Sequence, residues 1–195
     1  MSRVQITPFP LFFLLTNLKI VQVGIIKIKI IPLHEVPEKI LKKVREELKT
    51  TFHMIGEITD AERLPKSVLN RFRNQYISDQ VLNFLEKNYE GRILGITKED
   101  LYTEGLNFVF GQAKMRGRVA LISICRLDPT FFHQPKDEGL LIRRTVKEAI
   151  HEVGHMLGLT HCNRKGCVMT FSNTIGEVDK KTKYLCDMCK LQLGL

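Results

Sequence analysis

A chain of 195 residues, 44% hydrophobic and 26% charged, has ordinary globular composition and the length to bury a substantial core, which excludes a disordered or fibrous protein. Its formal charge of +9 raises the question of nucleic-acid binding. The basic residues are nevertheless scattered, densest at 39–49, 71–73 and 180–183 with few aromatics between them, which is the pattern of solvated faces rather than of a binding stripe.

Residues 8–15 are apolar and aromatic, but the run is too short to span a bilayer and Pro8 and Pro10 interrupt it. Only Arg3 precedes it as a basic start, and 16–24 offers no small-residue cleavage site, so residues 1–24 read as an N-terminal extension of a cytoplasmic protein. A single domain is expected over 25–195. The β-branched, partly alternating stretch 25–31 reads as a strand. Residues 36–48 place Ile40, Leu41, Val44 and Leu48 at the spacing of an amphipathic helix. A strand follows near 54–58. After the Pro65 loop comes a helix over 79–88 with Val81, Leu82 and Leu85 on one side, beginning as early as 73. Strands are expected at 92–97, 106–110 and 118–126, then a helix at 140–157. The tail from 159 to 195 carries little regular structure until a short C-terminal helix. This order implies an α+β fold: a mixed, twisted sheet with helices packed behind it and a cleft along its front.

The stretch HEVGHMLGLTH at 151–161 carries the most chemistry. On the expected helix His151 and His155 lie four apart, one turn above the other, so two imidazoles can meet one metal ion. The next position on that face is Leu159. Gly158 instead can end the helix in the left-handed conformation that other residues resist, turning the chain so that His161 swings back as a third ligand. Three nitrogen ligands leave a zinc ion one open position, which separates a catalytic zinc from a structural one. Glu152, beside the site, is the expected general base for an attacking water and then the proton donor to the leaving amine. The bland alternative, an amphipathic helix with histidines on one face and Glu152 in solvent, leaves the glycine and the third histidine unexplained.

Cys162 adjoins His161, Cys167 follows, and Cys186 and Cys189 form a C-x-x-C pair. Two short cysteine pairs separated by a loop fit a closed four-thiolate zinc site, which is structural because no coordination position is left for water. The alternative is two disulfides or four free thiols, and no export signal accompanies the cysteines to favour oxidation. Cys125 is left over in an apolar run and reads as a small buried hydrophobe.

The segments HEVGHMLGLTHCNRKGCVM and CDMC together resemble the archaemetzincins, which join the long zinc motif to four cysteines. RNQY at 73–76, DLY at 100–102, NFVFG at 107–111, SICRL at 123–127 and RTVKE at 144–148 are similar to further family signatures, so the resemblance spans roughly 25–192. It implies a metzincin-like zinc peptidase with His151, His155 and His161 as ligands of a catalytic zinc and Glu152 as base. Cys162, Cys167, Cys186 and Cys189 would hold a second, structural zinc, making two Zn2+ per chain. Met169 would be the Met-turn residue, supporting the histidines from below without binding metal. In metzincins an extended peptide pairs with the edge strand of the sheet, and 107–113 is the choice for that strand. Arg126, Asp128 and His133 read first as solvated loop residues, with reach into the cleft as the alternative.

The expected partner is a peptide or protein substrate, with no nucleic acid and no membrane, and the chain is expected to be a monomer. Two other readings compete. One is a zinc-bound scaffold that holds peptides with little or no catalysis. The other is a zinc-ribbon nucleic-acid-binding protein, and here the metals matter to the charge: the thiolate site contributes about −2 and the histidine site about +2, so the basic excess stands. A ribbon, however, has no use for Glu152 between two aligned histidines.

Overall fold

Residues 26–195 are described by the structure, a computed structural model, and the extension expected over 1–24 lies outside them. The elements run β1 (Lys27–Leu33), α1 (Glu38–Phe52), β2 (Ile55–Ile58), β3 (Leu69–Asn70), β4 (Gln75–Ile77), α2 (Ser78–Asn88), β5 (Arg92–Thr97) and β6 (Leu101–Tyr102). They continue with β7 (Gly111–Ala113), β8 (Val119–Ser123), α3 (Glu138–Met156), α4 (Ile175–Lys180) and α5 (Asp187–Leu193). The fold is α+β, and its main sheet is mixed. Its strand order is β2-β1-β5-β8-β7, with every pair parallel except β7–β8.

Parallel strands need crossovers, and the helices that supply them cover both faces of the sheet. Side chains therefore alternate between two buried sides rather than between core and solvent. Ile28 and Ile30, Leu94 and Ile96, and Ala120 and Ile122 pack towards Ile40, Val44 and Leu48 of α1 and towards Val146, Ile150 and Val153 of α3. Their neighbours Ile31, Leu33, Ile93, Val119 and Leu121 pack on Val81, Leu82 and Leu85 of α2. Contact is closest at Gly95, where an added Cβ would lie 2.7 Å from Leu85 Cδ1. Among the described residues no helix is long and apolar enough to cross a membrane.

Three expectations change. The chain before α2 is not an early start of that helix: β3 and β4 form a hairpin, and β4 pairs in parallel with β6 to make a second, three-stranded sheet. Residues 106–110 are not a strand, because their backbone groups are taken elsewhere. The Val109 N–H donates to Leu101 O, and Asn107 O accepts from Arg73 and Gln75. The tail also contains α4, begun by a Thr174–Glu177 capping box that the sequence displays but the tail's loop-like reading passed over.

The antiparallel edge strand β7 fixes the front of the molecule. The Ser123 N–H donates to Phe110 O at 2.8 Å and the Lys114 N–H to Val119 O at 3.0 Å. Alternation along an antiparallel ladder then leaves the N–H and C=O groups of Gly111 and Ala113 on the open edge, facing the cleft.

Candidate metal centres

α3 begins at Asp137, whose carboxylate accepts from the Leu140 N–H at 2.8 Å, and runs beneath the sheet's open edge. His151, Glu152 and His155 are all buried in its last turns. Beyond Leu157 the chain turns at Gly158, whose φ of +106° is a backbone conformation side chains resist, as expected from the sequence. That turn brings back His161 and also places Leu159 O 2.7 Å from His155 Nδ1. His151 Nδ1 lies 2.8 Å from Val168 O. Each imidazole therefore donates its Nδ1 proton to a carbonyl, which leaves both Nε2 lone pairs bare. Those two Nε2 atoms point at each other across 3.0 Å. Two lone pairs so placed repel unless a cation lies between them, and tetrahedral zinc with bonds of about 2.0–2.1 Å holds its nitrogens about 3.3 Å apart. One ring nitrogen from each of His151, His155 and His161 falls within 4.8 Å of the others, so the donor set fits a metal.

Burial sets the protonation. It holds His151 well below the usual 6.5, with the Lys181 ammonium and the neighbouring His155 acting in the same direction. His155 and His161 are also lowered, by burial first. All three are thus neutral imidazoles at neutral pH, the form that can bind a metal. Glu152 is pushed well above the ordinary carboxylate range by its burial and then by Glu148.

Beneath the histidines lies fully buried Met169, the expected Met-turn residue. A Cβ added to Gly154 would sit 2.5 Å from its Sδ, so α3 rests directly on the thioether. The same turn is clamped by the cysteines. Cys162 and Cys186 Sγ are 3.8 Å apart, as are Cys167 and Cys189 Sγ. A disulfide requires about 2.05 Å. Tetrahedral thiolates at about 2.3 Å from zinc stand about 3.8 Å apart, so this donor set fits a closed zinc site. The Arg164 and Cys186 N–H groups each donate to a cysteine sulfur at 3.4 Å. Cys186 is held down at about 7: its slight burial raises it, but hydrogen bonds from the Cys189 N–H and the facing thiols outweigh that. Cys125 stands apart, raised to about 11 by burial and then by Asp100, which agrees with an inert thiol.

A cleft of about 540 Å³ opens over the histidines, between the 106–115 segment with β7 and the 171–173 segment after the Met169 turn. Two features of it carried no signal in the sequence. Gly111 is the point of closest approach between β7 and α3: an added Cβ would meet Glu152 Cγ at 2.6 Å and Oε1 at 2.8 Å. Further along the floor, one helical turn before Glu152, Glu148 pairs with Lys181 at 2.9 Å, both side chains buried. Arg126, Asp128 and His133 do not line the cleft. Arg126 forks onto Asp100 with two 2.8 Å bonds, Asp128 caps the following 3-10 turn through the Thr130 N–H, and His133 ends that turn. Asp100 also accepts from Gln75, so the RNQY, DLY and SICRL segments meet in one network that supports the cleft wall from behind.

The chain is similar to known proteins along most of its length. The archaemetzincin of Methanocaldococcus jannaschii is 42% identical over 171 residues, covering 88% of this chain and 94% of the relative. That of Thermococcus kodakarensis is 40% identical over 175 residues, 85% of this chain and 94% of the relative. Among solved structures, the Methanopyrus kandleri archaemetzincin superposes with a TM-score of 0.78 at 34% identity, covering 90% of this chain and 97% of that one. The Archaeoglobus fulgidus archaemetzincin, complexed with malonate, gives 0.76 at 36% identity over 86% of this chain and 99% of that one. The pattern of peptidase family M54 matches residues 15–194, so the chain belongs to that family, the archaemetzincins, and is a zinc metallopeptidase.

Proposed function

We propose that the chain hydrolyses peptide bonds at a zinc site formed by His151, His155 and His161, with Glu152 as general base, while Cys162, Cys167, Cys186 and Cys189 hold a second, structural zinc. The observation that carries this is the pair of bare Nε2 atoms 3.0 Å apart, each set by a carbonyl behind it, with a buried carboxylate alongside. Zinc bound there supplies Lewis-acid polarisation of the substrate carbonyl and makes water acidic near neutral pH. The chain's residues do the rest. The free N–H and C=O groups of Gly111 and Ala113 pair with an extended peptide backbone, which gives affinity with little sequence preference. Glu152 takes the proton of the attacking water and returns it to the departing amine. Met169 holds the floor under Gly154. Residues 25–195 act as one catalytic unit, within which 159–195 is the metal-clamped segment.

Peptide-library digestion by zinc-loaded protein tests the activity. The metal layout has its own check: elemental analysis should give two zinc ions per chain of unequal lability, the histidine-bound ion leaving first to chelators and to acid because protons compete for imidazole. One zinc per chain, or a thiol titration showing two disulfides, would sink the layout.

Gly111→Ala should separate position from chemistry. The added methyl displaces the Glu152 carboxylate, and a misplacement of about 1 Å commonly costs on the order of a hundredfold in rate. The expected result is a fall of that size in kcat with zinc content unchanged. A variant as fast as wild type would show that Glu152 is not held against β7.

A further inference from the structure

The cleft floor continues past the zinc-binding histidines to a polar pocket that peptide-bond chemistry does not use. Glu148 and Glu152 are four residues apart on α3, so their side chains lie next to each other along one face. Glu148 and Lys181 are 3% and 4% exposed, and both line the cleft. Burying two charges there is costly until their mutual attraction offsets it. The match is incomplete in a specific way. The Lys181 ammonium sits 2.9 Å from Glu148 Oε1 as an ion pair without hydrogen-bond geometry, so that oxygen has no hydrogen-bond partner among the described residues. The Ser172 hydroxyl on the facing wall is also buried without one. The Lys181 ammonium reaches Thr170 O at 3.4 Å, which leaves it tied to the protein on both sides. Phe108 and Phe110, packed edge to face at 5.2 Å, line the same cleft and offer apolar surface above this floor.

We propose that Glu148, Ser172 and Lys181 form a specificity subsite that accepts the substrate side chain next to the scissile bond, selecting a long aliphatic stem tipped with N–H donors: glutamine, lysine or arginine. The proposal rests on the peptidase reading of the histidine site. A peptide paired with β7 alternates its side chains, so a residue adjoining the scissile bond points down onto the floor. The Glu148–Lys181 pair is neutral as a unit, and its ammonium is already held by Glu148 and Thr170 O, so an acidic side chain finds no free cation there and is rejected. What it lacks is a donor to Glu148 Oε1 and a partner for Ser172 Oγ, and an amide or cationic nitrogen supplies both. An apolar side chain would leave both atoms buried without a hydrogen bond, which is the costly outcome.

Peptide hydroxamates provide the test, since they anchor on zinc whether or not turnover occurs. The residue beside the hydroxamate is varied over glutamine, lysine, norleucine and glutamate, and Kd is measured calorimetrically on zinc-loaded wild type. Glutamine or lysine should bind roughly tenfold tighter than norleucine, the size of one hydrogen bond to a charged group, with glutamate weakest. Glu148→Gln should erode the advantage of lysine more than that of glutamine. The double variant Glu148→Met with Lys181→Met, which removes both charges together and avoids stranding one, should favour norleucine. Equal or tighter binding of norleucine by wild type overturns the subsite, as does an unchanged preference in the double variant. A purely structural ion pair would shift the melting temperature and leave these ratios alone. Wild type that binds with the expected order but cleaves no peptide would sink the peptidase reading and leave the subsite standing.

Discussion

Zinc-loaded Glu152→Ala is expected to lose peptide hydrolysis by a factor of roughly a hundred to ten thousand, the range for removal of a general base, while keeping its metal and its fold. The carboxylate is positioned to handle protons: it is buried, it lies against Gly111 on the open edge of the sheet, and it is not among the ring nitrogens that converge. Its environment also implies an effect on stability. Burial and the adjacent Glu148 raise Glu152 far above its unfolded value of 4.5, so its ionised form is disfavoured in the folded protein. A group raised in this way contributes stability when protonated, at low pH, and loses it as pH rises through and beyond 4.5. At neutral pH its removal should therefore raise the melting temperature of metal-free protein, a cost that the wild type bears for function.

Acid should limit activity as well. Glu152 must be ionised to act as base, and protons compete with zinc for the three imidazoles as pH falls. The three histidines are lowered, so they resist protonation in the folded chain; unfolded imidazoles take up protons below 6.5, and stability falls with pH from that point. Rates of wild type and variant, both zinc-replete, decide the matter. Equal rates would assign the activity to other residues. Absence of turnover by either across a broad peptide library would favour the scaffold reading.

What the sequence disclosed and what it hid divide along physical lines. The two clusters of His and Cys side chains are legible because their spacing is local: HExxH needs one helix turn, Gly158 one turn of chain, and each cysteine pair a short loop. Strands β1, β5 and β8 are legible as apolar runs long enough to show themselves. β3, β4 and β6 have two or three residues each, too few for any period, and exist because they pair with one another. The stretch 106–110 has the apolar character of a strand, but long-range bonds from Arg73 and Gln75 to Asn107 O decide its shape, and no local signal announces them. Gly111 belongs to the same class: its reason is Glu152, distant in sequence and in contact in space. Glu148 and Lys181 read singly as surface charges, and only the packing of α3 against the chain after α4 makes them a buried pair.

Cys186→Ser should damage the fold far more than His155→Ala, with a loss above about 4 kcal/mol, since loss of a bound metal is among the few single changes that reach such values. For a chain of this length that corresponds to a drop of about 10 °C or more in Tm. The damage should spread to the histidine site through two covalent neighbours. Val168, whose carbonyl orients His151, sits between Cys167 and Met169. Cys162 adjoins His161, and the Cys162 N–H donates to Met169 O at 3.0 Å. Opening the thiolate clamp thus loosens the acceptor behind one histidine and the backbone of another. Loss of such an orienting contact typically lowers metal affinity about 10- to 100-fold, and that is the expected effect on the histidine-bound zinc. His155→Ala acts the other way round. It removes a ligand outright and frees Leu159 O at 2.7 Å, which costs about 1–3 kcal/mol, but the cysteine clamp and both core clusters stay intact. Thermal unfolding of the two variants, with zinc content measured on each, distinguishes the roles. Equal and small losses for both would mean that the cysteine cluster is not what secures the C-terminal segment.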